Sequence, residues 1–265
     1  MGAPLDRMNA TYVYCVVSAP RRPRVPAAAR RLPHSSAVRV LDVDRHLYLV
    51  VTDVPTKEYG QAAINKRLSD LEWVSRAAVA HEAVVESFGE ADAVLPMKLF
   101  TIFTNDRRAV EQVRGDRRRI SSVMRRVARQ QEFGIRVVLD RAAAVRRRAA
   151  SHRTGARTNK NATGAGYLAR KKAERDAAVE LAEHARETVS AVYDRLASRS
   201  RQAKRRSATE LPTDGPLLLD AAFLVPRARA RAFRAQAARE ARALAKDGYG
   251  LTLTGPWPPY TFVED

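Results

Sequence analysis

Runs and recurrences of apolar residues set out the elements of this chain one after another. Residues 12–17 form a short apolar run, Tyr12-Val13-Tyr14-Cys15-Val16-Val17, which predicts a buried strand. Residues 37–43 and 46–52 predict two further strands joined tightly at Asp44-Arg45, and Pro55 closes the second. Residues 57–88 read as mostly helical. Within them Ile64, Leu68, Leu71, Val74, Ala78 and His81 recur at three and four residues and predict one apolar stripe, ended at Gly89. Residues 94–103 read as a single strand with Pro96 near its start, where a missing donor is tolerated. The order β-β-β-α-β predicts an antiparallel α+β sheet, a ferredoxin-like variant, as an N-terminal domain over residues 1–104.

A second α+β domain is expected over residues 105–265. Thr104-Asn105-Asp106 is a cap signal for a basic helix reaching residue 131. A strand follows at 133–140 and a short helix at 142–148. Residues 149–165, rich in Arg, Thr, Asn and Gly, read as a flexible basic loop. Residues 167–200 give the longest helix, with an alanine-rich seam through Ala185, Val189, Val192 and Leu196 that fits packing on its own domain. Residues 199–206 read as its basic tail. A strand at 217–225, a helix at 228–246 and a strand at 251–254 complete the domain. Gly255-Pro256-Trp257-Pro258-Pro259-Tyr260-Thr261-Phe262-Val263 then reads as an ordered, polyproline-like strap and not as helix, because each proline fixes φ and removes a donor.

Composition adds charge without adding chemistry. The formal net charge is +19, from 48 Lys+Arg against 29 Asp+Glu, so anions are attracted nonspecifically. The excess is mostly arginine in an alanine-rich chain, a pattern that GC-rich codon usage produces by itself. The basic runs Arg117–Arg119, Arg146–Arg148 and Lys204–Arg206 lack the interleaved aromatics of a nucleic-acid reader, and no specific nucleic acid is expected. A basic nucleic-acid-binding module stays the alternative. A lone cysteine, Cys15, rules out an internal disulfide and a cysteine-cluster metal site, and a cytosolic protein is the simplest inference. No apolar run is long enough to span a bilayer, so no membrane is expected. The five histidines are scattered, with no second ligand at metal spacing. His81-Glu82 point to different helix faces. Gly164-Ala165-Gly166 lacks the third glycine of a dinucleotide loop, leaving a phosphate-using enzyme as a remote third reading. No cofactor, metal or catalytic residue is expected, and the chain is read as a non-enzyme.

Several stretches, in order along nearly the whole chain, resemble the gas vesicle GvpF/GvpL family. They are the opening strand at Tyr12–Val17, the Val94-Leu95-Pro96 to Phe103 strand, Glu132-Phe133-Gly134-Ile135, Gly166-Tyr167-Leu168, Ala221-Ala222-Phe223-Leu224-Val225 and the terminal Gly255–Val263 motif. The terminal motif is the most specific. One departure is Thr101 directly after Phe100, where many family members have glycine. The resemblance implies an accessory or minor structural protein of gas vesicles in the cytoplasm, without cofactor. It implies engagement of the small hydrophobic shell protein and other vesicle proteins during assembly. Leu95, Met97, Leu99 and Phe103 on the strand, and Trp257, Tyr260 and Phe262 on the strap, are the candidate partner-binding residues.

Overall fold

The computed structural model describes residues 9–25, 31–139, 164–206 and 216–263. Two compact units emerge, residues 1–132 with 256–265, and residues 133–255. The boundary expected at 104/105 differs from this division. The basic segment after residue 104 stays with the first unit as a second helical layer, and the terminal strap returns to that unit.

Unit 1 is built on β1 (Asn9–Ser18), β2 (Arg39–Asp44), β3 (Leu47–Pro55) and β4 (Ala93–Pro96), in the order β2-β3-β1-β4, with β5 (Ile102–Phe103) paired to the start of β1. The pairings are antiparallel. β1 is central and buried along almost its whole length, which explains its unbroken apolar run in place of alternation. Tyr12, Tyr14 and Val17 share a core with Trp73, Ala77 and Val84. These last three come from the helical layer α1 (Thr56–Tyr59), α2 (Gln61–Arg67) and α3 (Leu71–Ser87). Val13 and Val16, outside that cluster, are also fully buried. The second helical layer, α4 (Asp106–Gly115) and α5 (Arg117–Val127), lies against β1, β2, β4 and β5.

Three local expectations change here. The single stripe over residues 64–81 is broken, because Asp70 caps α3 by accepting from the Trp73 amide (3.0 Å) and resets the helical phase. Trp73, Ala77, Ala80, His81, Val84 and Val85 form the buried face of α3, while Leu68 and Leu71 turn outward. The helix expected over residues 104–131 is two, α4 capped by Asn105 (3.0 Å from the Arg108 amide) and α5 restarting after Gly115-Asp116. The strand expected at 94–103 is interrupted by a turn, in which the Thr101 amide donates to the Lys98 carbonyl (3.1 Å). That turn faces the irregularity of β1 between Val13 and Cys15. The Met97 amide donates to the Tyr14 carbonyl, and the Val13 amide to the Thr101 carbonyl, both at 2.9 Å.

Unit 2 carries β6 (Gln130–Leu139), α6 (Gly164–Ala197), β7 (Gln202–Arg205), β8 (Leu217–Pro226), α7 (Ala230–Lys246) and β9 (Tyr249–Trp257). The sheet order β7-β8-β6-β9 and the succession β-α-β-β-α-β are those of a ferredoxin-like unit. Phe133, Ile135, Val137, Phe223 and Val225 pack with Val189, Leu196, Phe233 and Leu244 from the two helices. β7 corrects the expected basic tail. Its polar residues hide it from pattern reading, and pairing with β8 makes it a strand. The expected helix at 142–148 and most of the expected loop at 149–165 lie outside the described residues.

Candidate partner-binding site

The strap is not polyproline throughout. β9 runs on to Trp257, Pro258 and Pro259 are buried, and α8 (Tyr260–Val263) is a short helical turn. Proline is tolerated ahead of a helix, because the donor it lacks has no intrahelical partner there. The Glu132 carboxylate, almost fully buried, accepts from the Thr261 amide (2.8 Å) and the Thr261 hydroxyl (2.6 Å). Arg126 Nη2 donates to the Phe262 carbonyl (2.9 Å). Phe262 is 1% exposed, and Tyr260 is half-buried against the β1 core. Burial, with Glu82 and Glu86 nearby, pushes the Tyr260 phenol well above its ordinary value. Glu132 is the last residue before the chain leaves unit 1, and Thr261 lies just after its return, so this contact ties exit to return.

The sequence-predicted candidates fall into three groups. Leu95 and Phe262 are buried; Met97, Leu99, Phe103 and Tyr260 are half-buried. Trp257 is 40% exposed. The other exposed large apolar side chains among the described residues are Leu68, Leu71 and Val79. Leu71 and Val79 sit two turns apart on one face of α3. A shallow groove of about 350 Å³ beside them is lined by Arg31, Ser75, Arg76, Val79 and Ala80.

Behind the turn after β4 lies a polar network in an apolar core. The Phe100 amide donates to the Tyr12 hydroxyl (3.3 Å), and that hydroxyl meets His81 Nδ1 at 2.7 Å. The neutral imidazole takes part in this bond through Nδ1. Phe100 has φ of 63°, a left-handed conformation that costs a non-glycine residue about 1 kcal/mol. Its ring stacks on Trp73 with centroids 5.0 Å apart, which offsets that cost. The positive φ thus falls on Phe100 itself and not on Thr101.

Burial lowers the His81 pKa to about 4, partly countered by the Met97 backbone. A depressed histidine is neutral in the fold, while the unfolded chain takes up its proton near 6.5. Stability from this group is complete above that value and falls as pH drops toward about 4, by on the order of 3 kcal/mol. His81→Phe should flatten the acid slope of the urea midpoint between about pH 7 and about pH 4.5. An unchanged slope would contradict this assignment. Cys15 is fully buried and its thiol is pushed up by desolvation, so it is an inert core side chain.

The basic runs are largely occupied within the fold. Arg114 Nε donates to the Val43 carbonyl (2.8 Å), Arg117 pairs with Asp44 (2.8 Å), and Arg205 lies over the Tyr193 ring (4.5 Å). Arg206 and Arg136 both bind the buried Asp220. Arg146–Arg148 lie outside the described residues. An open depression of about 1060 Å³ beside β2 is spanned by Arg39, which binds both Asp53 and Asp106, with Thr11 donating to Asp106 (2.8 Å). This ion network fastens α4 to the sheet. Among the described residues no group of three or more His, Cys, Asp or Glu is placed to hold a metal ion. Among those residues too, no helix is long and apolar enough to cross a membrane.

Comparison with known proteins settles the ancestry. The family described as "Gas vesicle synthesis protein GvpL/GvpF" matches residues 10–264. The chain belongs to the GvpL/GvpF family. A similar relative is gas vesicle protein L of Streptomyces sp. (strain CB03234), 27% identical over 220 residues, covering 82% of this chain and 80% of the relative. The fold resembles the crystal structure of GvpF from Anabaena sp. PCC7120, with a TM-score of 0.66 at 15% identity and 97% of each chain covered. It also resembles GvpF from Microcystis aeruginosa, with a TM-score of 0.63 at 15% identity, covering 97% of this chain and 99% of that one. GvpL/GvpF is a family of gas vesicle formation and not a known enzyme family.

Three of the stretches that resemble this family meet in one place in this GvpL/GvpF chain. The Val94–Phe103 stretch, Glu132 and the terminal motif converge where α8 packs on β4 and Thr261 binds Glu132. Their first role is therefore architectural. Glu132 was missed by sequence reasoning, where it stands as one polar residue opening a strand. Its only signal was its place in the Glu-Phe-Gly motif. Gly134 of the same motif has a steric reason, since a Cβ there would stand 2.5 Å from Thr254 Oγ1 on β9.

Proposed function

We propose that this GvpL/GvpF chain is a non-enzymatic assembly factor in the cytoplasm that binds the small hydrophobic shell protein, and other vesicle proteins, while gas vesicles form. The family match across residues 10–264 carries this reading. Leu71, Val79 and Trp257 are, with Leu68, the exposed large apolar side chains of unit 1 that offer such a contact among the described residues. The burial of Leu95 and Phe262 reserves them for the core, so Trp257 is the strap residue in this proposal that meets the partner.

A pull-down of shell protein on the tagged full chain tests it. The double variant Leu71→Ser with Trp257→Ala should keep its far-UV circular dichroism and lose roughly tenfold in retained shell protein, on the order of 1.4 kcal/mol. Undiminished retention would remove these residues from the contact. No retention by the unaltered chain would remove the reading itself.

A further inference from the structure

Among the described residues, the outer strands β2, β7 and β4 are guarded and β9 is not. At the β2 edge, Arg22 donates to the Val40 carbonyl and Arg114 to the Val43 carbonyl. β7 is four residues long and carries Lys204 and Arg205. β4 is equally short, ends in Pro96, and is flanked by α5 and α8. Charge, brevity and cover are the devices by which proteins keep edge strands from pairing with other chains. Among the described residues, β9 has none of them along Tyr249–Gly255. It is bonded to β6 on one side, and no described strand pairs with its other side. No charged residue occurs from Tyr249 to Val263 in a chain that is 29% charged overall.

The face pattern of β9 states what would fit beside it. Leu251 and Leu253 are half-buried and pack against the core of unit 2. Thr252 and Thr254 are exposed on the opposite face. A strand added here continues both faces when it is apolar at alternate positions and neutral at the others.

We propose that the edge of β9 left unpaired among the described strands takes up an extended, uncharged segment of the shell protein by strand addition. The segment's apolar residues extend the Leu251–Leu253 face. A second copy of this chain is a poor occupant. Two molecules of net charge +19 repel, and a single short strand pair buries less than a stable dimer needs. The proposal rests on the assembly-factor reading, and its site is the Tyr249–Gly255 part of β9, in unit 2.

Hydrogen exchange on the full chain tests it with two probes, purified shell protein and a synthetic nine-residue peptide alternating valine and threonine, as long as β9. Strand addition slows exchange of β9 amides at least about tenfold with either probe. Thr252→Lys, an exposed substitution, should abolish the slowing while leaving the exchange of β8 and α7 unchanged. Unchanged β9 exchange with both probes overturns the proposal, even if shell protein is retained in the pull-down through unit 1. Slowing of β9 in the chain alone, growing with its concentration, overturns it in favour of self-pairing. Slowing with the peptide but not with shell protein keeps the edge site and overturns the shell protein as its source.

Discussion

Phe262→Ala is expected to lower the stability of unit 1 by about 3–5 kcal/mol, whereas Trp257→Ala, five residues earlier on the same strap, should change it by less than about 1 kcal/mol. The two residues look alike in the sequence, as aromatics among prolines. Phe262 is 1% exposed, and its carbonyl accepts from Arg126. Truncating it empties a site where α8 meets β4 and α5. It also withdraws the side chain next to Thr261, whose two bonds hold the buried Glu132 carboxylate. Trp257 leaves 40% of its surface in water, so its removal opens no cavity of comparable size. Urea midpoints followed by tryptophan fluorescence measure the contrast, with Trp73 and Trp257 both reporting on unit 1 in the Phe262→Ala chain and Trp73 alone in the Trp257→Ala chain. Equal losses would mean that the strap is not anchored as described.

Asp220→Ala is the second large effect, in unit 2. The carboxylate is 3% exposed and receives Arg136 at 3.2 Å and Arg206 at 2.6 Å. Its removal leaves two guanidinium groups facing each other over the sheet without the anion between them. Breaking a buried pair costs about 3–5 kcal/mol, and both arginines keep roughly a third of their side chains in water, so about 3 kcal/mol is expected. Asp220→Leu combined with Arg136→Met and Arg206→Met should recover most of that loss, because the unpaired charges go with the anion. Trp73 and Trp257 both lie in unit 1, so far-UV circular dichroism of the unit 2 helices, not tryptophan fluorescence, is the appropriate readout. No recovery in the triple variant would show that Asp220 contributes packing more than charge balance.

Elements whose cause is local were legible from the chain alone. The hairpin at Asp44-Arg45, the Asn105 cap, the apolar runs of β1 and β8, and the helix ended before Gly248 follow from neighbours within a turn or two. What was hidden depends on distant partners. Glu132 has meaning only beside Thr261, 129 residues away. β7 is polar and becomes a strand only by pairing with β8. The break at Phe100 answers the irregularity of β1 and the stacking on Trp73. Leu71 looked like a core residue because helical phase was carried across Asp70, where the helix in fact restarts. At 80% exposed it is a local preference the fold does not satisfy, and such mismatches concentrate where a protein meets something else. The strap showed its family plainly. That it closes the first unit and not the second came from contacts that no local pattern carries.

Those contacts divide the terminal motif by role. Pro258, Pro259, Tyr260, Thr261 and Phe262 anchor it, and Pro256 and Trp257 face water. The proposed assembly role therefore turns on surface positions and not on the buried signature that marks the family.

The most direct measurement of that role is the amount of shell protein kept soluble when it is co-expressed with this chain, compared with shell protein expressed alone. The proposal predicts a severalfold rise in soluble shell protein with the unaltered chain. It predicts a return toward the shell-alone level with Leu71→Ser plus Trp257→Ala, at equal levels of folded chain. Soluble shell protein that is unchanged by the unaltered chain would contradict it.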